Sequence, residues 1–249
     1  MSVSAVAFQR WISQLAPGSS TADVCRQSGV KRSTLAQQLV RGKVAETTVV
    51  AVARAYGRNP VLGLADFDQY RELAASVAPP TDAEVLSQTP TARLLQELLV
   101  RVGPQPAAAA PLPSASLPSA SLPLGEQPAV RQWVEAIDDG ELRHRVSLAA
   151  GIAPQNYSAQ LSANRLTPEL AVRTAREAGV GLRNGLVVTG LVTAAEAGWP
   201  PSAVKDALGR LSDAELTLLA SERLAVLGRS LKRQEHDERA SRRAWDHLA

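Results

Sequence analysis

A single cysteine, Cys25, in a chain of 249 residues excludes an internal disulfide and fits a reducing compartment. Aromatic residues make up only 4% of the chain, and the alternation of β-branched or aromatic residues that marks a half-buried strand is missing. What remains is Ala- and Leu-rich, which points to small helical cores. No apolar run approaches the roughly 20 residues needed to span a bilayer, and the N-terminus has no charged-then-apolar leader pattern. The histidines, His144, His236 and His247, stand apart from any cysteine or carboxylate cluster, so no metal is expected. A Walker loop, a nucleophile elbow and paired catalytic carboxylates are also missing. The expectation is a soluble, cytoplasmic protein without cofactor, metal, membrane contact or enzymatic activity.

What the chain does have is a repeat. Shifted by 122 residues without a gap, Trp11 falls on Trp133, Gly18 on Gly140, Val24 on Val146 and Gly29 on Gly151. The same shift sets Gln38-Leu39 on Gln160-Leu161, Ala53-Arg54 on Ala175-Arg176 and Gly63-Leu64 on Gly185-Leu186. Further on, Pro79 meets Pro201, Leu86 meets Leu208 and Leu94 meets Leu216. Such a period is far longer than a solenoid repeat, so it reads as a duplicated domain. The length leaves room for two.

Charge separates the copies. Residues 1–60 carry eight basic groups against two acidic ones, a net of +6, whereas residues 123–182 carry six against seven, a net of −1. A basic small domain attracts polyanions through counterion release, so the first copy is the stronger candidate for nucleic acid.

Between the copies runs Gly103–Glu126, GPQPAAAAPLPSASLPSASLPLGE, nearly uncharged and with SASLP repeated. Its prolines forbid a helix and its composition cannot bury a core. As a flexible chain it spans roughly 25–30 Å, and as polyproline about 75 Å, a range that includes the ~34 Å of one DNA turn.

Both copies read as helices throughout. Phe8, Trp11, Ile12 and Leu15 form one apolar stripe, as do Val130, Trp133, Val134 and Ile137; the two tryptophans read as core. Ser20 with Asp23 predicts a capped second helix ending at Gly29, and Leu35 and Leu39 mark a third stopped by Gly42. A fourth helix is expected from about Glu46 to Tyr56, and Asn59-Pro60 opens a fifth. Thr81-x-x-Glu84 and Ser212-x-x-Glu215 are capping boxes for late helices. Trp199 beside Pro200-Pro201 reads as packing for the late helix.

The chemistry sits in Ser20–Lys43, STADVCRQSGVKRSTLAQQLVRGK. A small residue where two helices cross (Cys25) is followed four residues later by a glycine for a positive-φ turn (Gly29). An apolar plug follows (Val30), and then two apolar positions on the next helix (Leu35, Leu39). Ser147, Gly151, Ile152, Tyr157 and Leu161 repeat the set. At the crossing position Cys25 reads as a core thiol.

Gly29-Val-Lys-Arg-Ser-Thr-Leu and the trailing Arg41-Gly-Lys resemble the helix-turn-helix of the lambda-repressor/Cro (XRE-like) family, over residues 5–66 and more weakly over 127–188. Cys25 and Ser147 replace that family's alanine, Thr21 its glutamine, and one residue is inserted before Arg41. The resemblance implies an all-α fold of two helix-turn-helix domains in tandem. The expected segments are 1–78 (first domain), 79–102 (helical extension), 103–126 (linker), 127–200 (second domain), 201–228 (extension) and 229–249 (charged helical tail).

The resemblance also implies that the helix starting near Lys31 enters the major groove of double-stranded DNA. Lys31 and Arg32 then read guanine, Gln37 adenine, and Ser33 a base or a phosphate. Arg41, Lys43, Ser20 and Thr21 clamp phosphates. In the second copy Gln155 and Asn156 read adenine, with Ser158 on the same face, and Arg143, Asn164 and Arg165 touch backbone.

The function implied is a sequence-specific, nucleoid-associated transcriptional regulator. It is a repressor similar to the immunity repressors of temperate phages from high-GC hosts, and it binds a bipartite, non-palindromic operator. The alternative is an interaction protein whose second copy and tail bind a protein partner or another copy of the chain.

Overall fold

The computed structural model describes residues 2–75, 78–102 and 129–246; the expected linker lies outside them. The chain is all-α. Among the described residues the strands are limited to β1 (Val3–Ser4) and β2 (Lys43–Val44), which pair antiparallel, Val3 with Val44 and Ser4 with Lys43.

The first copy runs α1 (Ala5–Leu15), α2 (Thr21–Ser28), α3 (Arg32–Val40), α4 (Glu46–Ala55), α5 (Pro60–Ala65), a 3₁₀ helix (Asp68–Ala74), α6 (Asp82–Gln88) and α7 (Thr91–Val102). The second runs α8 (Val130–Ile137), α9 (Leu142–Ala150), α10 (Pro154–Ser162), α11 (Pro168–Glu177), α12 (Leu182–Val188), α13 (Ala194–Ala197), α14 (Ala203–Arg210) and α15 (Asp213–Asp246). Moved by 122 residues, α3 and α4 coincide with α10 and α11 at both ends. α7 coincides with the first twelve residues of α15. The duplication therefore covers the whole helical framework.

Local chemistry explains the boundaries. Ser20 and Asp23 close a reciprocal capping box on α2, Asn59 accepts from the Val61 and Leu62 amides at the start of α5, and Thr193 with Glu196 caps α13. Gly63 and Gly185, equivalent under the repeat, permit close helix crossing. A Cβ on Gly185 would stand 2.5 Å from the Ala171 carbonyl oxygen, and one on Gly63 3.0 Å from Ala53 Cβ.

The chain forms two compact units, and they are not the two copies. One comprises Met1–Gln88 with Glu126–Ala203; the other comprises Thr89–Gly125 with Val204–Ala249. The expected first and second domains thus share one unit, and the last helices of both copies share the other.

The physical reason is a polar seam between the copies inside the first unit. Arg54 on α4 forms a two-pronged bond to Glu196 on α13, 2.7 Å at each prong, and donates to the Leu191 carbonyl. Arg176, the repeat equivalent of Arg54, reaches back to Glu72 at 2.6 Å. Arg183 donates to the carbonyls of Leu73 and Ala74. α5 packs on α13 while α12, the counterpart of α5, packs on the 3₁₀ helix. The donors and the packed elements are equivalent under the repeat. The acceptors, Glu196 and Glu72, stand two residues out of register, so the arrangement approximates a two-fold interface built within one chain.

A second seam is buried. Glu84 on α6 is fully enclosed and accepts from the Thr81 amide, Trp133 Nε1 on α8 and Asn184 Nδ2 on α12, each at 3.0–3.1 Å. Asn184 Oδ1 in turn accepts from Trp199 Nε1 at 2.8 Å. A carboxylate without water survives only when its lone pairs are filled, as these are. Trp199 packs in this way on the second copy's own α12.

In the other unit, α7 lies antiparallel to α15. Arg101, at the end of α7, donates to the Leu208 and Leu211 carbonyls and pairs with Asp213 at the start of α15. Leu94 and Leu216, equivalent under the repeat, are both fully buried.

Candidate nucleic-acid interface

α2 and α3 are joined by a short turn in which Gly29 takes φ +71°, a conformation an L-residue resists. Val24, Cys25 and Leu35 are buried beneath it. Burial pushes the Cys25 thiol up from its ordinary value, with Arg32 opposing, so this sulfur is a packing group. The second copy keeps the geometry: Gly151 has φ +62°, and Ser147, Tyr157 and Leu161 are buried. Tyr157 shares its hydroxyl with Thr174 at 3.0 Å, and burial pushes that phenol up.

On the first copy this packing leaves one face of α3 in water. Ser33, Gln37 and Val40 fall at i, i+4, i+7 opposite Leu35, and all three are exposed, Val40 at 88%. Lys31 occupies the N-cap of α3 and Arg32 its first turn. No side chain caps this end and no acidic residue stands in the first turn. Cations beside free helix amides oppose the helix dipole; the arrangement becomes favourable when an anion sits there.

α3 runs unbroken to Val40, just before Arg41. Gln38 Oε1 accepts from the Ala45 amide at 3.2 Å and from Thr48 Oγ1 at 3.0 Å. Gly42 then turns the chain at φ +71° into β2, whose pairing with β1 holds Lys43 outward beyond the helix. Lys31, Arg32, Arg41 and Lys43 are all exposed, and among the described residues none is in an ion pair. Thr21 is exposed at the start of α2. Ser20 is too, but its hydroxyl is engaged with Asp23, donating at 2.6 Å and accepting the Asp23 amide. These Ser20 bonds hold the Asp23 carboxyl below its usual value.

The second copy differs in its charges more than in its frame. Gln155, Asn156 and Ser158 are exposed on α10. Several of its arginines, however, are engaged in ion pairs: Arg143 pairs with Asp138 at 3.2 Å, Arg145 with Asp139 at 2.9 Å, and Arg173 with Glu169 at 3.7 Å. Arg165 is exposed and makes no ion pair among the described residues. Asn164 stands where the first copy has Gly42 and takes the same left-handed conformation, φ 52°. Its Oδ1 accepts the Arg131 amide at the start of α8, so it holds α8 in place.

Val40 was not among the residues expected at the site, and it is 88% exposed beside Leu39 at the end of α3. The break of phase at the helix end is the only signal that it faces outward. Among the described residues no group of three His, Cys, Asp or Glu could hold a metal ion, and no helix is long and apolar enough to cross a membrane. The chain matches no protein-family model, no curated protein and no solved structure.

Proposed function

We propose that this protein is a sequence-specific DNA-binding transcriptional regulator of the helix-turn-helix kind, acting as a repressor similar to phage immunity repressors. One observation carries the reading. Four exposed cations without ion pairs, Lys31, Arg32, Arg41 and Lys43, bracket a solvent-facing helix whose N-terminus has no capping side chain and no acidic neighbour. Such a cluster is costly in a free protein, and phosphates relieve it.

In this reading α3 enters the major groove. Ser33 and Gln37 meet base edges, Val40 meets a thymine methyl, and Arg41 and Lys43 hold the flanking phosphates. α10 presents Gln155, Asn156 and Ser158 to a second, unlike half-site, with Arg165 on the backbone. The operator is bipartite and non-palindromic because equivalent positions on the two faces carry different side chains, Lys31, Arg32, Ser33 and Gln37 against Ala153, Pro154, Gln155 and Ala159. Repression follows from occupancy of the promoter.

The reciprocal seam favours a fixed spacing between the half-sites. The two copies belong to one unit, so their separation is set by Arg54, Arg176 and Glu84 rather than by linker length.

Footprinting of the full chain across a salt series tests the reading. The expected result is one asymmetric protected site with steep salt dependence, abolished by Lys31→Ala with Arg32→Ala. Protection that survives this double variant would overturn it. The ion-paired arginines of the second copy favour one alternative, that this copy is a scaffold. In that case substituting Gln155 and Asn156 leaves site length and affinity unchanged.

A further inference from the structure

The second unit carries a charged surface that the helix-turn-helix reading does not use. α15 has 34 residues, and each residue from Arg229 to Arg239 is exposed. In sequence this stretch, RSLKRQEHDER, interleaves four cations with three carboxylates and reads as a solvated mixture. The helix separates them. At 3.6 residues per turn, Arg229, Lys232, Arg233, His236 and Arg239 fall within an arc of about 120°. Glu235 and Asp237 lie about 40° outside its two edges, and Glu238 lies on the far side. Glu222, two turns before Arg229, closes the arc at its N-terminal end.

This segregation works against the free helix. An exposed helix gains from opposite charges at i, i+4 and loses from like ones. Here Arg229 and Arg233 stand at i, i+4, and Arg229 and Lys232 at i, i+3. Arg239 is paired with Glu235 at 3.5 Å, whereas Arg229, Lys232 and Arg233 make no ion pair among the described residues. Gln234 donates to Glu238 at 3.1 Å, away from the stripe. Leu231 is the one apolar residue of the stretch. A helix polar on nearly every side depends on many favourable pairs, and here the like charges are left together.

We propose that this stripe of α15 binds the phosphate backbone of double-stranded DNA without reading its sequence, a choice of partner that rests on the function proposed above. From Arg229 to Arg239 the stripe spans about 15 Å. That is too long for a single carboxylate and suits a rod with one negative charge per ~1.7 Å of its axis. The stretch has no Phe, Trp or Tyr on which unpaired bases would stack, which favours the duplex over a single strand. Cations aimed at phosphates add affinity for any duplex by releasing counterions, and they carry no sequence information. Such contacts keep the chain on DNA while it slides or hops between operators.

Fluorescence anisotropy of the full chain on a labelled random-sequence duplex, across a salt series, tests this. Arg229→Gln, Lys232→Gln and Arg233→Gln together are expected to lower the slope of log affinity against log salt by about 2–3. Glutamine is a good helix former, so helical circular dichroism stays at the wild-type level. Adding Gln234→Lys and Glu238→Lys to this triple variant returns the same net charge on the opposite side of α15, and the lost slope is expected to stay lost. A triple variant with the wild-type slope overturns the proposal. So does a slope restored by the two lysines, which would make net charge, and not the stripe, the cause. Neutralising the stripe is expected to leave the footprint pattern in place, whereas Lys31→Ala with Arg32→Ala removes it. In that double variant the stripe still contributes its slope on the random duplex, so failure of one proposal leaves the other standing.

Discussion

Arg54 and Arg176 occupy the same position in the two copies, and each crosses to the other copy, Arg54 to Glu196 at 2.7 Å and Arg176 to Glu72 at 2.6 Å. The relation approximates what a two-fold dimer makes between subunits, moved inside one polypeptide, with the two acceptors two residues out of register. Once an interface is intramolecular, its two halves are free to diverge, because a substitution on one side is no longer copied to the other. The exposed residues at and just before α3 have done so: Lys31, Arg32 and Gln37 correspond to Ala153, Pro154 and Ala159.

The Arg54–Glu196 pair sets a pH dependence. The Arg54 hydrogen bond, helped by the Thr193 amide, holds the Glu196 carboxyl at about 2 against an ordinary 4.5. The charged form is the one favoured by folding, so this stabilisation is complete above pH 4.5 and is lost as pH falls from 4.5 toward 2. Glu196 is mostly shielded but Arg54 is 44% exposed, which screens the pair and limits its worth to about 1 kcal/mol. Arg54→Ala is expected to lower the urea midpoint at pH 7 and to narrow the gap to wild type at pH 3. An equal gap at both values would show that the pair does not carry the effect.

Glu84 holds the other seam by geometry alone. Glu84→Gln replaces an acceptor oxygen with an amide that must face Trp133 Nε1, Asn184 Nδ2 or the Thr81 amide, all of them donors. A buried donor left without an acceptor costs roughly 1–3 kcal/mol. The expected outcome is a loss of that order in chemical denaturation, with one cooperative transition for the two copies. Glu84→Gln at wild-type stability would mean the network has another acceptor.

Most of the helical framework was legible in the sequence, because periodic apolar stripes, capping boxes and left-handed glycines act locally. The Ser20–Asp23 and Thr81–Glu84 boxes and the Gly29 turn are such features. The sharing of one unit by both copies was not legible. It depends on Arg54, Arg176 and Glu84 finding partners more than a hundred residues away or in another helix, and no local pattern tells a seam-forming arginine from a solvated one. The same limit applied to the candidate site. Arg143 and Asn164 look free in sequence, yet one pairs with Asp138 and the other holds the α8 amide.

The proposed phosphate contact by the first copy has a salt-dependence test. Each removed phosphate-binding cation lowers the slope of log affinity against log salt by about 1. Arg41→Ala and Lys43→Ala are expected to do this while leaving base preference intact. Gln37→Ala is expected to leave the slope unchanged and relax preference at one base pair, at a cost of about 1–3 kcal/mol in discrimination. A Gln37 variant with a changed slope and unchanged preference would move that residue to the backbone.

Under the proposed function the seam also sets the spacing of the half-sites. Were the copies tethered only by residues 103–126, half-sites could be moved apart and the linker would follow, with affinity changing gradually as effective concentration falls. With both copies in one unit, inserting about 5 base pairs turns one half-site by about half a revolution of the ~10.5-base-pair helix, away from α10. Affinity should then fall to that of the first copy alone. Deleting one SASLP pentad from the linker should leave both the affinity and the preferred spacing unchanged, since those residues do not set the distance. The decisive measurement is a matrix of operator spacings against linker lengths. A spacing optimum that shifts with linker length would mean the seam opens on DNA, and one fixed across all linkers means that Arg54, Arg176 and Glu84 hold it closed.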